Sequence, residues 1–334
     1  MSRETVLALL REREGEFLSG EELSRRLGFS RAAVWKAVDV LRREGYAIEA
    51  RTGLGYRLTA APNAMTEAEI RNFLGETAVV GRALKCFDQL DSTNLRAKQL
   101  GMEGAPDGTV VTADFQSAGR GRMERSFQSP RGKGVYLTVL LRPGLPSERL
   151  LPVTALAGVA VCDAVEEICG VRPGLKWPND PVLGGKKLCG ILTELSVEGE
   201  TGRVQYMVLG IGVNVLHGPG DFSQEVAEMA TSLAMALGRS VSRPALAAAE
   251  IRALDRMYAA LLAGDLSGYL AAYRRDCVNL GRTVQLISPN GSRETAAALD
   301  ISEDFSLVVR TADGAEKTVR SGEVSVRGMY GYTE

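Results

Sequence analysis

Residues 116–130 read Gln116-Ser117-Ala118-Gly119-Arg120-Gly121-Arg122-Met123-Glu124-Arg125-Ser126-Phe127-Gln128-Ser129-Pro130. Two glycines and three arginines crowd one short segment between the apolar, β-branched runs Val110–Asp114 and Val135–Leu141. Glycine lets a backbone bend closely around a ligand, and guanidinium forks offer paired donors to carboxylate or phosphate oxygens. The stretch is therefore a loop between two strands, open when empty and ordered by an anionic small molecule. Standing alone, such a cluster is most simply a solvated surface loop. Its context points elsewhere, because Lys176-Trp177-Pro178-Asn179-Asp180 and Lys187-Leu188-Cys189-Gly190-Ile191-Leu192 follow it.

Working outward, the apolar runs around this loop alternate with helical patterns. Strands are expected at Leu175–Trp177, Gly190–Val197 and Gln205–Val215, and helices at 66–75, Leu150–Ile168, Ala230–Leu237 and Arg243–Ala263. That alternation predicts an α+β domain with a mixed sheet over residues 66–278. After Leu280 the texture changes to short strands at Thr283–Ile287, Ala296–Ile301, Ser306–Arg310, Glu316–Val319 and Glu323–Arg327. They are broken by Asn290-Gly291 and Asp313-Gly314. Short strands at regular spacing predict a small β-barrel over 280–334.

The N-terminal residues 1–60 carry a third pattern. Three short helices are expected at 4–13, 21–27 and 31–44, with Gly28 closing the second and Ser30 capping the third. Tyr46 to Leu58 reads as two strands around a glycine turn. Three helices and a hairpin make a winged helix-turn-helix. A recognition helix sets its N-terminal side chains against base edges, which nominates Ser30, Arg31, Ala32, Trp35 and Lys36, while Arg51 and Arg57 on the wing would touch phosphates. A small helical domain for protein contact is the other reading of the same pattern. With a formal net charge of -1 the chain has no global pull toward nucleic acid, so any DNA binding rests on that local patch.

Composition narrows the chemistry. A single histidine, His217, leaves little support for a zinc site or a serine–histidine triad and is most simply a loop residue. Five scattered cysteines without a Cys-x-x-Cys pair read as reduced core thiols of a cytoplasmic protein. Leu150 to Ile168 is strongly apolar, but Pro152, Asp163, Glu166 and Glu167 make it a buried helix rather than a membrane span.

The Gly-Arg-Gly-Arg loop, Lys176–Asp180 and Lys187–Leu192, in this order, resemble the biotin–protein ligases. So do Asp91-Ser92-Thr93-Asn94 upstream and Gly210-Ile211-Gly212-Val213-Asn214 downstream, and both ends of the chain resemble the two-function members that also repress biotin genes. The resemblance runs nearly end to end. It implies a catalytic domain of the biotin/lipoate ligase type working in two steps. Biotin's carboxylate attacks the α-phosphate of ATP, and a lysine of a biotin carboxyl carrier domain, as in acetyl-CoA carboxylase, then attacks the biotinyl-adenylate. Neither step requires a protein nucleophile. Positioning and charge neutralisation suffice, with orientation alone supplying about 7–11 kcal/mol in favourable systems.

By the same resemblance, Arg120 and Arg122 bracket carboxylate and phosphate with Gly121 between them, and Lys187 adds a point charge. Ser92, Thr93, Asn94 and Gln116 hydrogen-bond the ureido ring, Gly190 lets it lie against backbone, and Trp177 supplies an apolar wall. Asn179, Lys176 and Asn214 serve the adenylate and its phosphates, and Phe127 stacks on the purine. Asp180 either receives the acceptor amine's proton or holds Mg2+ indirectly, with no dedicated metal site. Biotinyl-adenylate doubles as corepressor, promoting a homodimer that presents two winged helices to operator DNA. Each motif also has a plainer reading: a helix cap for Asp91–Asn94, a solvated turn for Lys186-Lys187, ordinary core for Trp177.

The loop departs from the family pattern. Many members continue Gly-Arg-Gly-Arg-Arg-Gly-Arg and carry Trp shortly after, where this chain has Met123, Glu124 and then Phe127. Two other functions stay open on this fold: a lipoate-type ligase or transferase, and a transcription factor that only senses a small molecule. The first is not expected to carry the arginine loop or the winged helix. The second requires a broken site, whereas Arg120, Arg122, Asn179, Asp180 and Lys187 are all in place.

Overall fold

Three short helices and a hairpin share one apolar core at the N-terminus. Helices α1 (Ser2–Glu12), α2 (Gly20–Leu27) and α3 (Arg31–Arg43) precede strands β1 (Ala47–Arg51) and β2 (Gly55–Ala60). Val6, Leu10, Leu23, Val34, Val38 and Leu41 close against one another, with Leu18 and Leu58 completing the cluster. The Ser19 and Ser30 hydroxyls cap α2 and α3 by accepting from Glu22 N and Ala33 N, each worth about 1 kcal/mol. Gly28 ends α2 in the left-handed region, at φ 67°. This computed structural model describes every residue except 1, 14, 123–124, 199–202, 289, 321–324, 329–331 and 334. It divides into two compact units, Met1–Asn63 and Ala64–Glu334.

In the second unit the chain runs α4 (Glu67–Leu74), β3 (Leu84–Leu90), α5 (Thr93–Met102), β4 (Thr109–Gln116), β5 (Gly134–Leu141) and α6 (Val153–Cys169). A small antiparallel sheet follows, β6 (Gly174–Lys176), β7 (Asp180–Leu183) and β8 (Lys186–Lys187), and then β9 (Cys189–Val197) and β10 (Val204–Asn214). The main sheet has the order β3-β4-β5-β10-β9, with β3 and β4 parallel and every other pair antiparallel. It is mixed, as the sequence predicts. After two short helices, α7 (Gln224–Ala227) and α8 (Leu233–Leu237), come α9 (Arg243–Ala263) and α10 (Ser267–Asp276).

Helices α6 and α9 pack together over one face of the sheet, burying Leu156, Val161, Val165, Leu246, Ile251 and Leu254. Helix α5 covers part of the other face through Ala97 and Leu100, against Val111, Leu140, Tyr206 and Val208. Glu250, inside α9, is fully buried, among the described residues neither carboxylate oxygen has a hydrogen-bond partner, and burial pushes its carboxyl well above the usual range. Among the described residues no helix is long and apolar enough to cross a membrane. All five cysteines are free thiols, and four of them are buried.

Strands β11 (Thr283–Ile287), β12 (Arg293–Ile301), β13 (Leu307–Thr311), β14 (Glu316–Val319) and β15 (Ser325–Gly328) form one antiparallel sheet in the order β14-β13-β12-β11-β15. The sequence predicts a small barrel here. The strands are present, but among the described residues no ladder joins β14 to β15, and the sheet is open along that seam. Its inward positions, among them Val284, Leu286, Ile301, Leu307, Val309 and Val326, join the main core of the unit. Part of the expected final strand, residues 321–324, lies outside the described residues.

Candidate functional site

A cavity of about 810 Å³ opens at the end of the main sheet, where the arginine loop, the turn after β6, and strands β8, β9 and β10 meet. Every residue proposed from sequence for the ligand site lines it: Ser92, Thr93, Asn94, Gln116, Arg120, Gly121, Arg122, Phe127, Lys176, Trp177, Asn179, Asp180, Lys187, Gly190 and Asn214. These positions are up to 122 residues apart in the chain, and only the sheet topology brings them together.

Residue Ser92 occupies the N-cap position of α5 but makes no side-chain cap bond. The plainer helix-cap reading therefore fails at that hydroxyl. Thr93 N and Oγ1 both donate to Gln116 Oε1, at 2.8 and 3.0 Å, and Gln116 Nε2 donates to Ser129 Oγ at 2.8 Å. Asn94 Oδ1 accepts from Thr138 Oγ1 at 2.7 Å, while its Nδ2 donates to Glu194 Oε2 at 2.9 Å. Glu194 in turn accepts from Lys98 Nζ at 2.5 Å. Burial would raise the Glu194 carboxyl, but the bonds from Lys98 and Asn94 and the charge of Arg120 hold it below its ordinary value. Gly210 is required beside this network, since a Cβ there would stand 2.0 Å from Asn94 Oδ1.

The loop is a narrow tongue rather than an open arm. Ala118 N bonds Asp91 O, Phe127 N bonds Gly119 O, and Gly121 N bonds Arg125 O at 2.7 Å. Residues Met123 and Glu124, where the family pattern is broken, lie outside the described residues. Arg122 NH1 donates to Asn179 Oδ1 at 2.7 Å, tying the tongue to the turn after β6. Phe127 lies against the sheet itself: a Cβ on Gly212 would come within 2.5 Å of its ring, and one on Gly190 within 3.1 Å. Its ring thus rests on the strands, edge-on to Tyr136 at 6.4 Å between centroids.

One carboxylate, Asp180, stands among the cations that line the cavity. Lys187 Nζ donates to Asp180 Oδ1 at 2.6 Å, and Tyr332 donates its hydroxyl to Asp180 Oδ2. Burial favours the neutral Asp180 carboxyl, yet Lys187 and Lys176, with the hydrogen bonds from Lys187 and Tyr332, hold it below the usual carboxylate range. Lys187 is placed by its backbone, with N bonded to Met229 O and O accepting from Thr231 N. Asn214 is held by Nδ2 donating to Thr231 O at 3.1 Å. Trp177, expected as an apolar wall, is only 1% exposed, and its indole N–H donates to Phe305 O at 3.0 Å. It touches the cavity's edge but belongs chiefly to the core. His217 is a loop residue, as expected, but a fully buried one. Burial lowers its pKa to about 4, and it stacks on Phe222, which lines the cavity.

In the N-terminal unit, Ser30, Arg31, Ala32, Trp35 and Lys36 are all exposed, Trp35 by 57%. They stand opposite the buried stripe of Val34, Val38 and Leu41 on α3. Arg51 and Arg57 of the wing both pair with Glu49, and both lie over the Phe17 ring, at 5.3 and 4.5 Å from its centroid.

Comparison with known proteins finds relatives that match nearly the full length of the chain. The bifunctional ligase/repressor BirA of Bacillus subtilis (strain 168) is 37% identical over 315 residues, covering 94% of this chain and 96% of its own. The chain belongs to the bifunctional ligase/repressor family. The bifunctional ligase/repressor BirA of Escherichia coli (strain K12) is 29% identical over 96% of both chains. Residues 2–57 match an HTH domain, 86–214 the biotin/lipoate A/B protein ligase family, and 280–327 the biotin protein ligase C terminal domain. Among solved structures, the biotin protein ligase from Aquifex aeolicus in complex with biotin and ATP is similar at 28% identity and a TM-score of 0.64, covering 74% of this chain and 99% of that one.

For this member of the family, sequence reasoning missed Thr138, Glu194, Lys98, Glu49, Phe17 and Tyr332. Thr138 is legible afterwards as a hydroxyl inside a wholly buried strand. Glu194 stands four residues beyond Gly190 on β9, hence on the same face. Tyr332 gave no signal, because nothing local says that a chain terminus returns to the site.

Proposed function

We propose that this protein is an ATP-dependent biotin–protein ligase that also represses transcription through its winged helix. The observation that carries the reading is the convergence of Arg120, Arg122, Lys187 and Asn179 with Ser92, Thr93 and Gln116 around one cavity. Cations to neutralise two anions and a polar cradle for a neutral ring sit in the same space.

In the first half-reaction, Arg120, Arg122 and Lys187 offset the repulsion between biotin's carboxylate and the α-phosphate of ATP. A carboxylate oxygen bonds to phosphorus and pyrophosphate leaves. Lys176 and Asn179 serve the nucleotide side, and Asn214, held by Thr231, faces the same phosphates. In the second, an acceptor lysine's amine attacks the acyl carbon, AMP departs with the electron pair, and Asp180 takes the proton. Lys187, Lys176 and Tyr332 keep it ionised, and an ionised carboxylate has an oxygen open to that proton. Among the described residues no cluster of three or more His, Cys, Asp or Glu could hold a metal. Mg2+ would come with the nucleotide, and Asp180 is the residue that would hold it indirectly if it is not the proton acceptor. Biotinyl-adenylate then serves as corepressor: it promotes a homodimer and so presents two winged helices to paired operator half-sites.

Intact-mass analysis of a biotin carboxyl carrier domain, after incubation with this protein, biotin, ATP and Mg2+, tests the ligase. The full chain and a chain lacking residues 1–63 should both add one biotin. Lipoate in place of biotin should add nothing; a lipoyl gain would move the assignment to a lipoate ligase. Tight biotin binding with no transfer would leave a sensor-only transcription factor.

A further inference from the structure

The last residues of the chain return to the site. Thr333 is buried, its hydroxyl donates to Gly185 O in the β7–β8 turn at 3.3 Å, and its carbonyl accepts from Arg282 NH1 at 3.2 Å. That anchor carries Tyr332 into the cavity wall. Its hydroxyl bonds Asp180 Oδ2, and Lys176 Nζ lies over its ring at 4.1 Å from the centroid. The two oxygens of Asp180 are thus divided, one to Lys187 and one to Tyr332.

We propose that Tyr332 is a positioning residue for Asp180 in the transfer half-reaction. The inference rests on the ligase reading given above. Lys187 cannot serve Asp180 and a phosphate oxygen equally, so an anionic adenylate in the cavity draws it away from the carboxylate. Asp180 then keeps Tyr332 and Lys176, which hold it ionised and aimed while the acceptor amine attacks. The amine nitrogen forms its bond to the acyl carbon, the acyl–oxygen bond to AMP breaks, and the amine's proton passes to Asp180. Among the described residues three groups face this carboxylate: Lys187 from β8, Lys176 from β6 and Tyr332 from the tail. Burial, together with Asp180's charge, keeps the nearby Tyr273 of α10 and Cys189 of β9 protonated, so neither adds a charge of its own beside it. A hydrogen bond to the ionised form favours that form, so losing the tyrosine hydroxyl moves the acid limb of transfer to higher pH.

The test uses the full chain with Tyr332→Phe, which removes the hydroxyl and keeps the ring, and Tyr332→Leu, which removes both. Biotin-dependent ATP–pyrophosphate exchange reads the first half-reaction. A chase of enzyme-held adenylate with carrier domain, followed over about pH 4 to 9, reads the second. In Tyr332→Phe, KM for biotin and ATP should be unchanged. Transfer should fall roughly fivefold at the acid end and recover at the alkaline end, with a larger loss in Tyr332→Leu. Exchange and transfer falling together with an unmoved pH limb would reduce Tyr332 to packing and overturn the proposal. So would a Phe variant matching wild type at every pH. A wild-type chain that forms no adenylate would instead overturn the reading of the site, and this inference with it.

Discussion

Lys187 and Asp180 hold each other at 2.6 Å, and the ligase reading asks each to do something else when substrate arrives. Such a pair keeps two charges in a half-closed cavity until a stronger claim on the lysine appears. Because the Lys187 side chain is about a third exposed, the pair's worth to stability is small, about 1–2 kcal/mol. Its worth to chemistry is larger, since a preorganised cation beside developing charge commonly contributes 10²–10³-fold, about 3–4 kcal/mol. Lys187→Ala and Arg122→Ala should therefore slow adenylate formation by roughly that factor and shorten adenylate retention, with little change in melting temperature. Arg122→Ala also releases Asn179 Oδ1, and so loosens the tongue from the turn after β6. Retention times equal to wild type in either variant would remove that residue from the anion site.

At the scale of elements, the segment after β6 shows what a motif hides. Trp177-Pro178-Asn179 contains a cis peptide bond between the first two residues. Trp177 N is held by Asn279 Oδ1 at 2.7 Å, and Pro178 O accepts from Tyr273 of α10 at 3.0 Å. The segment is thus bolted to the C-terminal part of the chain, and Asn179 and Asp180 project from it into the cavity. Trp177→Phe keeps most of the apolar volume but leaves the buried Phe305 carbonyl without its donor, at a cost of about 1–3 kcal/mol. Thermal unfolding should drop by roughly 2–4 °C for each kcal/mol lost, while KM for biotin stays near wild type. An unchanged melting point with a raised KM would restore Trp177 as a ligand wall. The strands around the tongue, α9 and most of the C-terminal sheet were legible because their apolar patterns are strong. Strand β3, helix α10 and the hairpin of β7 and β8 were not. Their few buried positions are set by partners far away in sequence, such as Tyr273 against Phe305. The site residues were legible through motif chemistry, whereas Thr138, Glu194 and Tyr332 depend on which strand lies beside which.

At the scale of the whole molecule, one unit carries the ligand cavity and the other carries the exposed face of α3 with its wing. A chain with a net charge of -1 attracts DNA only where its charges are arranged to do so. On the wing that arrangement depends on Glu49, which binds both Arg51 and Arg57, while both guanidinium groups lie over the Phe17 ring. An acid in that place competes with phosphate for the same two cations and weakens nonspecific binding. On our proposal that Ser30, Arg31, Trp35 and Lys36 of the helix read the bases, it thereby leaves them a larger share of the discrimination. Glu49→Gln should therefore strengthen binding to any duplex and steepen the salt dependence, by up to about one unit of slope for each arginine released. Preference for an operator over random DNA should narrow, because phosphate contacts carry no sequence information. Measured against salt on operator and random duplexes, weaker binding to both would show the opposite: that Glu49 holds the arginines in their phosphate-binding pose and does not compete for them.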